Sequence, residues 1–305
     1  MSTYYLGIEI GGTKLQVVVG DQDACIVDRY RAAVAREQGA AGIRDNIRRA
    51  WQSFHHAYPL LAVGVGFGGP FDRANGTVAK SFQVHGWDGF AFTGWLESMT
   101  GLAVVVDNDA NTAALGEARL GAGQDYSKVF YVTLGSGMGG GMVIDGHIYH
   151  GASPGEAEIG LMLWDKSGTT FESRCCGWAV DRKVRRCIVQ NPDGALAQLA
   201  GSDAGGEARY LVSALEQGDS AARVILAETG EDIAWALSHV SHLFHPQIVI
   251  LGGGLSLIGD PLRAAVAAKL PGFVTSAFQP APRVELALLG EDVVCVGALL
   301  LAQGL

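Results

Sequence analysis

Short apolar runs separated by glycine-rich or acidic turns organise roughly the first 120 residues of the chain. Apolar, β-branched runs bounded by turn residues are typical of strands, and they predict strands over residues 4–10, 15–20, 25–31, 61–67 and 102–106. Apolar residues at helical spacing predict a helix over 41–56, with Ile43, Ile47, Trp51 and Phe54 on its inner face. A further helix is predicted over 110–120, and the region follows the order β-β-β-α-β-α-β-α.

The second half of the chain repeats this plan. Strands are predicted over residues 129–134, 141–144, 147–150, 247–251 and 284–288, and helices over 177–189, 207–244, 261–269 and 292–303. Pro246 is expected to end the long helix. Two halves that each open with a glycine-punctuated strand pair, followed by alternating helices and strands, predict a duplicated α/β fold in layers.

The composition describes a globular chain with more than one domain. It has 305 residues, 49% hydrophobic and 17% charged, which exceeds the length that one core usually serves. The net charge of −9 argues against a nucleic-acid partner. Neither a long apolar run nor a secretory leader is evident, so no membrane association is expected. Five cysteines, of which Cys175 and Cys176 are adjacent, form no disulfide framework, and this favours the cytoplasm.

Two glycine turns are candidates for phosphate binding. Residues 11–14, Gly-Gly-Thr-Lys, connect two predicted strands, whereas a Walker A loop has another glycine spacing and leads into a helix. Gly-Ser-Gly at 135–137 has the corresponding place in the second half. Successive backbone N–H groups in such turns can bind anions. Alternatively, the glycines serve only to supply a positive φ in a tight hairpin.

An acidic motif supplies the candidate catalytic residue. Asp109 lies in DNDAN, directly after a predicted buried strand. Open α/β sheets bind ligands at the carboxyl ends of their strands, which favours a functional role. Asp is also a common N-cap, and Asp109 precedes the helix predicted from Ala110.

Five motifs, in this order and spacing, resemble those of the ROK sugar kinases: GIEIGGTK, VGVGFGGP, VVVDNDANTAALGE, TLGSGMGGG and HPQIVILGGG. That family belongs to the actin, hexokinase and Hsp70 superfamily, in which the phosphate loops are β-hairpin turns, one from each half. The resemblance runs from residue 5 to the C-terminus and implies a two-lobed actin-like ATPase (ribonuclease H-like) fold with a duplicated βββαβαβα core and a central cleft. The implied domains are a small one, 1–117 with 290–305, and a large one, 118–289.

The resemblance also assigns the nucleotide-binding residues. It implies ATP as phosphate donor, with Mg²⁺ organised through water by Glu9. The first phosphate turn comprises Gly11, Gly12, Thr13 and Lys14. The second comprises Thr133, Gly135, Ser136 and Gly137. The loop along the nucleotide comprises Gly252, Gly253 and Gly254.

The implied sugar site centres on Asp109 as general base for the sugar hydroxyl. The other residues that the resemblance places at the sugar are Asn108, Gly68, Gly69, Glu158 and Glu172. Gln83 lies near the position where the family often has an asparagine. Sugar binding is expected to close the cleft and exclude water.

The chain departs from the family pattern at two places. Leu161 replaces the histidine of the Glu-x-Gly-His motif, and residues 164–172 replace the cysteine-rich zinc loop without any cysteine. Cys175 and Cys176 lack the spacing for a shared zinc, so no zinc site is expected. The resemblance implies a hexose as the substrate, glucose first, with hexose 6-phosphate as product, while N-acetylhexosamine, mannose, fructose and allose stay open. A homodimer is the expected assembly.

Three alternatives are compatible with parts of the pattern. Some ROK proteins are sugar-sensing repressors with an N-terminal helix-turn-helix, for which the strand from Tyr4 leaves no room. A catalytically degenerate sugar sensor is suggested by the lost histidine and zinc loop, although Asp109 and Glu172 are present. Another superfamily member, such as an acetate kinase or a polyphosphate-dependent glucokinase, is a further possibility, but no strongly basic channel supports polyphosphate as donor.

Overall fold

The computed structural model describes residues 3–81, 84–153, 155–201 and 205–305. Its strands are β1 (Tyr4–Ile10), β2 (Lys14–Gly20), β3 (Ile26–Ala33), β4 (Leu60–Phe67), β5 (Phe71–Asp72), β6 (Thr77–Val78), β7 (Ala103–Asn108), β8 (Lys128–Leu134), β9 (Met138–Ile144), β10 (His147–Ile148), β11 (Ile248–Gly252) and β12 (Arg283–Leu286). Its α-helices are α1 (Gly39–Phe54), α2 (Phe92–Thr100), α3 (Asp109–Leu120), α4 (Phe171–Cys175), α5 (Gly177–Gln190), α6 (Ala195–Ala200), α7 (Leu211–Glu216), α8 (Ser220–Phe244), α9 (Asp260–Phe273) and α10 (Val293–Gln303).

The two large sheets have the same strand order. The first is β3-β2-β1-β4-β7 and the second is β10-β9-β8-β11-β12. In the first sheet β1 pairs antiparallel with β2 and parallel with β4. In the second, β10 pairs antiparallel with β9, and β11 runs parallel to both β8 and β12. This repetition confirms the predicted duplicated α/β fold.

The chain divides into two compact units. The first comprises Met1–Gln124, Gly141–Glu156 and Glu291–Leu305, and the second comprises Asp125–Gly140 and Ala157–Gly290. The domain limits inferred from the sequence, 1–117 with 290–305 and 118–289, assign residues 141–156 to the other part, and those limits stay a prediction.

The core of the first unit forms on the first sheet as the apolar pattern predicts. Ile43, Ile47 and Phe54 of α1 are buried in one cluster with strand residues such as Ile8 and Val65, and Trp51 packs against this cluster half-buried. Burying apolar side chains of this size stabilises the fold by about 1.5–3 kcal/mol each. The predicted inner face of the helix is confirmed.

The single helix predicted over 207–244 is wrong. A 3-10 turn (Glu207–Tyr210) leads into α7, and the helical conformation is interrupted at Gly218, which has φ 77°. Asp219 then caps α8, since its Oδ1 accepts the N–H groups of Ala221 and Ala222 at 2.8 and 2.9 Å. The apolar period continues across the break, so periodicity alone concealed it, although glycine is a recognised signal for the end of a helix and aspartate for the start of one.

Other element limits differ by one to four residues from the predictions. The strand predicted over 141–144 begins earlier, at Met138, and the strand over 147–150 ends at Ile148. The long helix ends at Phe244, because His245 adopts a left-handed φ of 46° directly before Pro246. Helix α9 continues to Phe273 through Pro271. Within the described parts of the chain, no helix combines the length and the apolar character needed to cross a bilayer.

An ion pair in the second unit makes a pH-dependent contribution to stability. The Glu207 carboxylate accepts hydrogen bonds from Arg185 Nε and Nη2, both at 2.8 Å, and from the Gly205 N–H at 3.0 Å. The hydrogen bond from Arg185 lowers the pKa of Glu207 from 4.5 to about 2. A carboxylate with a lowered pKa stabilises the fold above its unfolded-state pKa, and this contribution is lost as the pH falls towards the folded-state value.

Replacing Glu207 with glutamine is therefore expected to lower the melting temperature at pH 7 and to make its decline between about pH 4.5 and 2 shallower than in the wild type. Thermal unfolding followed by circular dichroism across this range measures both effects. Glu216→Gln, on the exposed side of α7, is the matched control. Equal melting temperatures of Glu207→Gln and the wild type at pH 7 would contradict a stabilising pair.

Candidate functional site

In the first unit, the predicted phosphate turn connects β1 to β2 as a tight hairpin. The Gly11 N–H donates to the Lys14 carbonyl at 3.0 Å and closes the turn. The φ of Gly11 lies outside the left-handed region, so the explanation that this glycine supplies a positive φ is wrong. A Cβ at Gly11 would meet only the Lys14 carbonyl oxygen, at 3.4 Å. Glycine at such a position is useful where a ligand approaches the backbone closely.

The Asp109 carboxylate lies beside this hairpin. A Cβ at Gly68 would be 3.3 Å from Asp109 Oδ2, 3.0 Å from the Ile10 carbonyl oxygen and 3.5 Å from Gly11 Cα. The Gly68 N–H donates to the Ile10 carbonyl at 2.8 Å, which holds the two segments together. Gly68 is thus the point where the carboxylate and the start of the glycine turn come together.

Asn108, and not Asp109, caps α3. Its Oδ1 accepts the N–H groups of Ala110 at 2.8 Å and Asn111 at 3.4 Å, while its Nδ2 donates to the Gly69 carbonyl at 3.4 Å. Asp109 is the first residue of the helix, and its Oδ1 accepts the Ala110 N–H at 2.9 Å. The N-cap interpretation of Asp109 is therefore wrong. Its carboxylate lies at the helix N-terminus, where the macrodipole stabilises a negative charge.

A polar network centres on Asp107, two residues before Asp109, and the sequence did not reveal it. Asp107 Oδ1 accepts the Asn108 N–H at 2.7 Å and Asn111 Nδ2 at 2.9 Å, and Asp107 Oδ2 accepts from His150 Nε2 at 2.7 Å. Asn111 Nδ2 also contacts Glu156 Oε1 at 2.5 Å, and Arg73 pairs with the same carboxylate at 3.0 Å. The members are up to 83 residues apart in sequence, as Arg73 and Glu156 are, so only the fold brings them together.

Glu9 occupies the end of β1 next to the turn. Its Oε1 lies 3.2 Å from Lys14 Nζ, and its Oε2 accepts a hydrogen bond from Gln16 Nε2 at 2.7 Å. Gln16 Oε1 in turn accepts from Arg31 Nε at 2.7 Å. The structure thus pairs two of the predicted cofactor residues, Glu9 and Lys14, with each other.

In the second unit, the predicted second phosphate turn joins β8 to β9. The Gly135 N–H donates to the Gly137 carbonyl at 2.9 Å. Neither glycine has a positive φ, so the positive-φ explanation is wrong here as well. Among the described residues, no heavy atom other than those of its chain neighbours lies within 4 Å of a Cβ placed at Gly135, so packing does not demand glycine there. Thr133 is half-buried at the end of β8, and Ser136 accepts a hydrogen bond from Cys176 Sγ on its carbonyl oxygen at 3.2 Å.

The first turn of α5 lies against this second turn. The Gly177 N–H donates to the Gly135 carbonyl at 2.8 Å, and a Cβ at Gly177 would be 2.7 Å from the same oxygen. Helix N-termini carry a partial positive charge and favour bound anions. Sequence reasoning predicted the helix and the turn separately, and missed that they are adjacent.

Both predicted sugar-binding glutamates of the second unit lie near Met138, the residue after this turn. Glu172 Oε2 accepts the Met138 N–H at 2.9 Å, and a Cβ at Gly137 would be 2.4 Å from the same oxygen. Glu158 directly precedes the 3-10 turn Ile159–Leu161, in which a Cβ at Gly160 would be 2.1 Å from the Met138 carbonyl oxygen. Gly160 is thus required by packing against backbone, whereas a Cβ at Gly137 would meet only the end of the Glu172 side chain. Leu161 is 60% exposed.

The third glycine loop packs beneath the second turn. A Cβ at Gly252 would overlap the Tyr131 hydroxyl, and one at Gly253, which has φ 78°, would lie 2.7 Å from the backbone of Leu134. These two glycines are required by the fold itself. Gly254 is exposed, and a Cβ there would meet no atom within 4 Å.

Two predictions about this region stay open. Gln83 lies outside the described residues. The absence of zinc at residues 164–172 stays a prediction, and the described residues contain one group of metal-ligand type, Asp107, His150 and Glu156 in the first unit. Because Arg73 forms an ion pair with Glu156, these three side chains belong to an ion-pair network.

The strand order and the two hairpin turns define an actin-like ATPase fold. The chain also matches the family model described as "ROK family" over residues 5–304, and it belongs to the ROK family.

Relatives with known names support this placement. The chain is 29% identical over 301 residues to a glucokinase of Thermotoga maritima, covering 96% of this chain and 95% of the relative. It is 31% identical over 313 residues to a glucokinase of Streptomyces coelicolor, covering 98% and 97%. A crystal structure of a ROK family glucokinase from Streptomyces griseus in complex with glucose and AMPPNP superposes with a TM-score of 0.87 at 30% identity, with 99% of both chains covered.

Proposed function

We propose that this protein transfers the γ-phosphoryl group of ATP to a hexose hydroxyl, with glucose as the first candidate, hexose 6-phosphate as the product and Asp109 as the general base. The observation that carries the proposal is the position of Asp109 Oδ2, beside Gly68 and the first glycine turn. The likeness to glucokinases over nearly the whole chain supports the same reaction.

The role of Asp109 follows from its position. Phosphoryl transfer depends mainly on positioning and charge stabilisation, with a carboxylate to orient the attacking hydroxyl. The sugar oxygen forms the new bond to the γ-phosphorus, the bond from that phosphorus to the β-phosphate oxygen breaks, and Asp109 takes the hydroxyl proton. Asn108 holds the start of α3, and with it Asp109, through its cap and its contact with Gly69.

The glycine turns are proposed to bind ATP. The first turn offers backbone N–H groups and the Thr13 hydroxyl, with Gly12 and Lys14 beside them. The second turn offers Gly135, Ser136 and Gly137 next to the N-terminus of α5. Gly254, in the third glycine loop, is proposed as a further nucleotide-binding residue. Mg²⁺ prefers carboxylate and water oxygens. Glu9, a buried carboxylate at the turn, fits a contact through water, and the ion would neutralise phosphate charge when bound.

In the first unit, the residues proposed to bind sugar are Gly68, Gly69 and Asn108. In the second unit, they are Glu158 and Glu172. Leu161 offers no polar group where the family has a histidine. A missing hydrogen-bonding group changes sugar selectivity by large factors, so N-acetylhexosamine, fructose and allose belong in the substrate test. We further propose a cytoplasmic homodimer, which light scattering coupled to size-exclusion chromatography would examine.

The proposed activity is tested by incubating the protein with Mg-ATP and a panel of hexoses and N-acetylhexosamines while ADP release is followed. Sugar-dependent release for at least one member is expected. Saturable sugar binding without ADP release would instead support a sugar sensor.

Replacing Gly135 with alanine is expected to raise the KM for ATP about tenfold and leave the hexose KM nearly unchanged. A methyl group there would meet no atom of the described residues within 4 Å apart from its chain neighbours, so we expect it to obstruct a bound phosphate. A tenfold effect corresponds to about 1.4 kcal/mol. Gly94→Ala is the matched control, because its methyl group also meets no atom and it lies in α2. Equal ATP KM values for the two variants would contradict phosphate binding by this turn.

A further inference from the structure

We propose that Asp232, on α8, is a positioning residue that fixes the Glu172 carboxylate by anchoring both ends of the segment that carries it. The inference rests on the proposed role of Glu172 in sugar binding. In this proposal, an ionic and aromatic cluster anchors residues 162–172, a segment that contains neither cysteine nor histidine.

The segment is a short hairpin shaped by its own hydrogen bonds. Leu163 and Thr170 form an antiparallel bridge, and the Trp164 N–H donates to the Thr169 carbonyl at 2.7 Å. At the tip, Asp165 Oδ1 accepts the Ser167 N–H at 2.7 Å. These bonds define the local shape of the hairpin, but they do not attach it to the helices beneath.

Asp232 provides that attachment. Its carboxylate accepts a hydrogen bond from Trp164 Nε1 at 3.2 Å, and Arg174 Nε lies 3.1 Å from both of its oxygens. Lys183 Nζ of α5 is 3.6 Å away. The side chain of Asp232 is only 7% exposed. Removing one partner of such a buried ionic group is strongly destabilising, because the remaining charge is left uncompensated.

Aromatic contacts close the cluster. Arg174 Cζ lies 4.0 Å from the centre of the Trp164 ring, a cation–π geometry. Trp235, one helical turn after Asp232, packs edge-on against Trp164 at 5.3 Å and against Phe171 at 5.6 Å. One face of α8 therefore holds Trp164 at the start of the hairpin and Phe171 and Arg174 at its end.

Glu172 lies between these two end anchors. It belongs to α4, which Thr170 caps by accepting the Ser173 N–H at 3.3 Å. Its Oε2 reaches the Met138 N–H after the second glycine turn, at 2.9 Å. A shift of α4 relative to α8 moves this carboxylate directly, so Asp232 controls its position without being placed to touch a substrate.

The test is Asp232→Asn, which keeps the side-chain size and removes the charge. The hexose KM is expected to rise about 10–100-fold, while the ATP KM changes by less than about twofold, since small displacements of a binding group have effects of this size. Glu231→Gln is the matched control, because Glu231 is the neighbouring acid on α8 and pairs with Lys269 on the surface. If Asp232→Asn does not fold, Trp164→Phe keeps an aromatic ring and removes the N–H donor, with the same expectation.

A double variant separates positioning from a general loss of structure. If Asp232 acts through Glu172, Asp232→Asn combined with Glu172→Gln binds hexose no more weakly than Glu172→Gln alone. Additive losses, or equal increases in the KM of hexose and of ATP, would overturn the inference.

Hydrogen exchange tests the anchoring independently of activity. In Asp232→Asn, amide exchange across 162–176 is expected to accelerate, with no change in Glu231→Gln, and unchanged exchange would overturn the inference. If Glu172→Gln leaves the hexose KM unchanged, the proposed sugar-binding role of Glu172 is wrong. If no hexose is phosphorylated, the proposed kinase activity is wrong. In either case, the exchange result alone decides whether Asp232 anchors the segment.

Discussion

Replacing Asp109 with asparagine is expected to lower kcat by about 10²–10⁴-fold, with the KM for ATP within about threefold of the wild-type value. Asparagine keeps the side-chain size and can still accept the Ala110 N–H that Asp109 Oδ1 accepts at 2.9 Å. It cannot take a proton from a hydroxyl, so binding is preserved while proton transfer is lost. Initial rates of hexose-dependent ADP release at saturating ATP measure the effect.

The control for this substitution is Asp45→Asn, the same change at an exposed acid of α1 that pairs with Arg48. It is expected to keep the wild-type rate. Equal rates for Asp109→Asn and the wild type would show that Asp109 is not the general base. Absence of hexose-dependent release from every form, including the wild type, would instead remove the proposed function.

Gly297→Ala is expected to destabilise the protein by about 3 kcal/mol, near the upper end of overpacking effects. A Cβ at Gly297 of α10 would lie 1.8 Å from the Thr112 carbonyl oxygen of α3, and backbone cannot move aside as a side chain can. For a chain of 305 residues, such a loss lowers the melting temperature by about 5 °C. Thermal unfolding monitored by circular dichroism measures it.

Gly94→Ala, in α2, is the contrasting control, because a Cβ at Gly94 would meet no atom of the described residues within 4 Å apart from its chain neighbours. There the lower backbone entropy of alanine is expected to raise stability by about 0.5–1 kcal/mol. If both variants melted at the same temperature, the close approach of α10 to α3 would not exist in solution.

The parts of the fold that sequence predicted well are those with strong local signals. The apolar run ending at Ile10 and the glycines after it predict a strand and a turn without any tertiary information, and β1 has the predicted limits. The apolar face of α1 follows helical spacing in the same way. By contrast, an apolar period that continued across Gly218 concealed the break before α8, because periodicity does not report a local left-handed residue.

The candidate site was predictable in its motifs but not in its supporting contacts. DNDAN identifies Asp109, yet only the structure shows that Asn108 is the cap and that Asp107 is bound by His150. Glycine has several uses that sequence cannot separate. Gly253 is required by packing and by its φ of 78°, whereas Gly135 meets neither condition. That difference is the reason why we propose Gly135, and not Gly253, as a position where glycine serves a bound ligand.

The most direct measurement of the central claim is a crystal structure of the protein with a non-hydrolysable ATP analogue and the hexose that gives the highest rate. We expect a sugar hydroxyl oxygen about 2.6–3.2 Å from the Asp109 carboxylate, the distance for proton transfer to a general base, with the analogue's phosphates on the glycine turns. A bound sugar with no hydroxyl near Asp109, or phosphates held away from both turns, would contradict it.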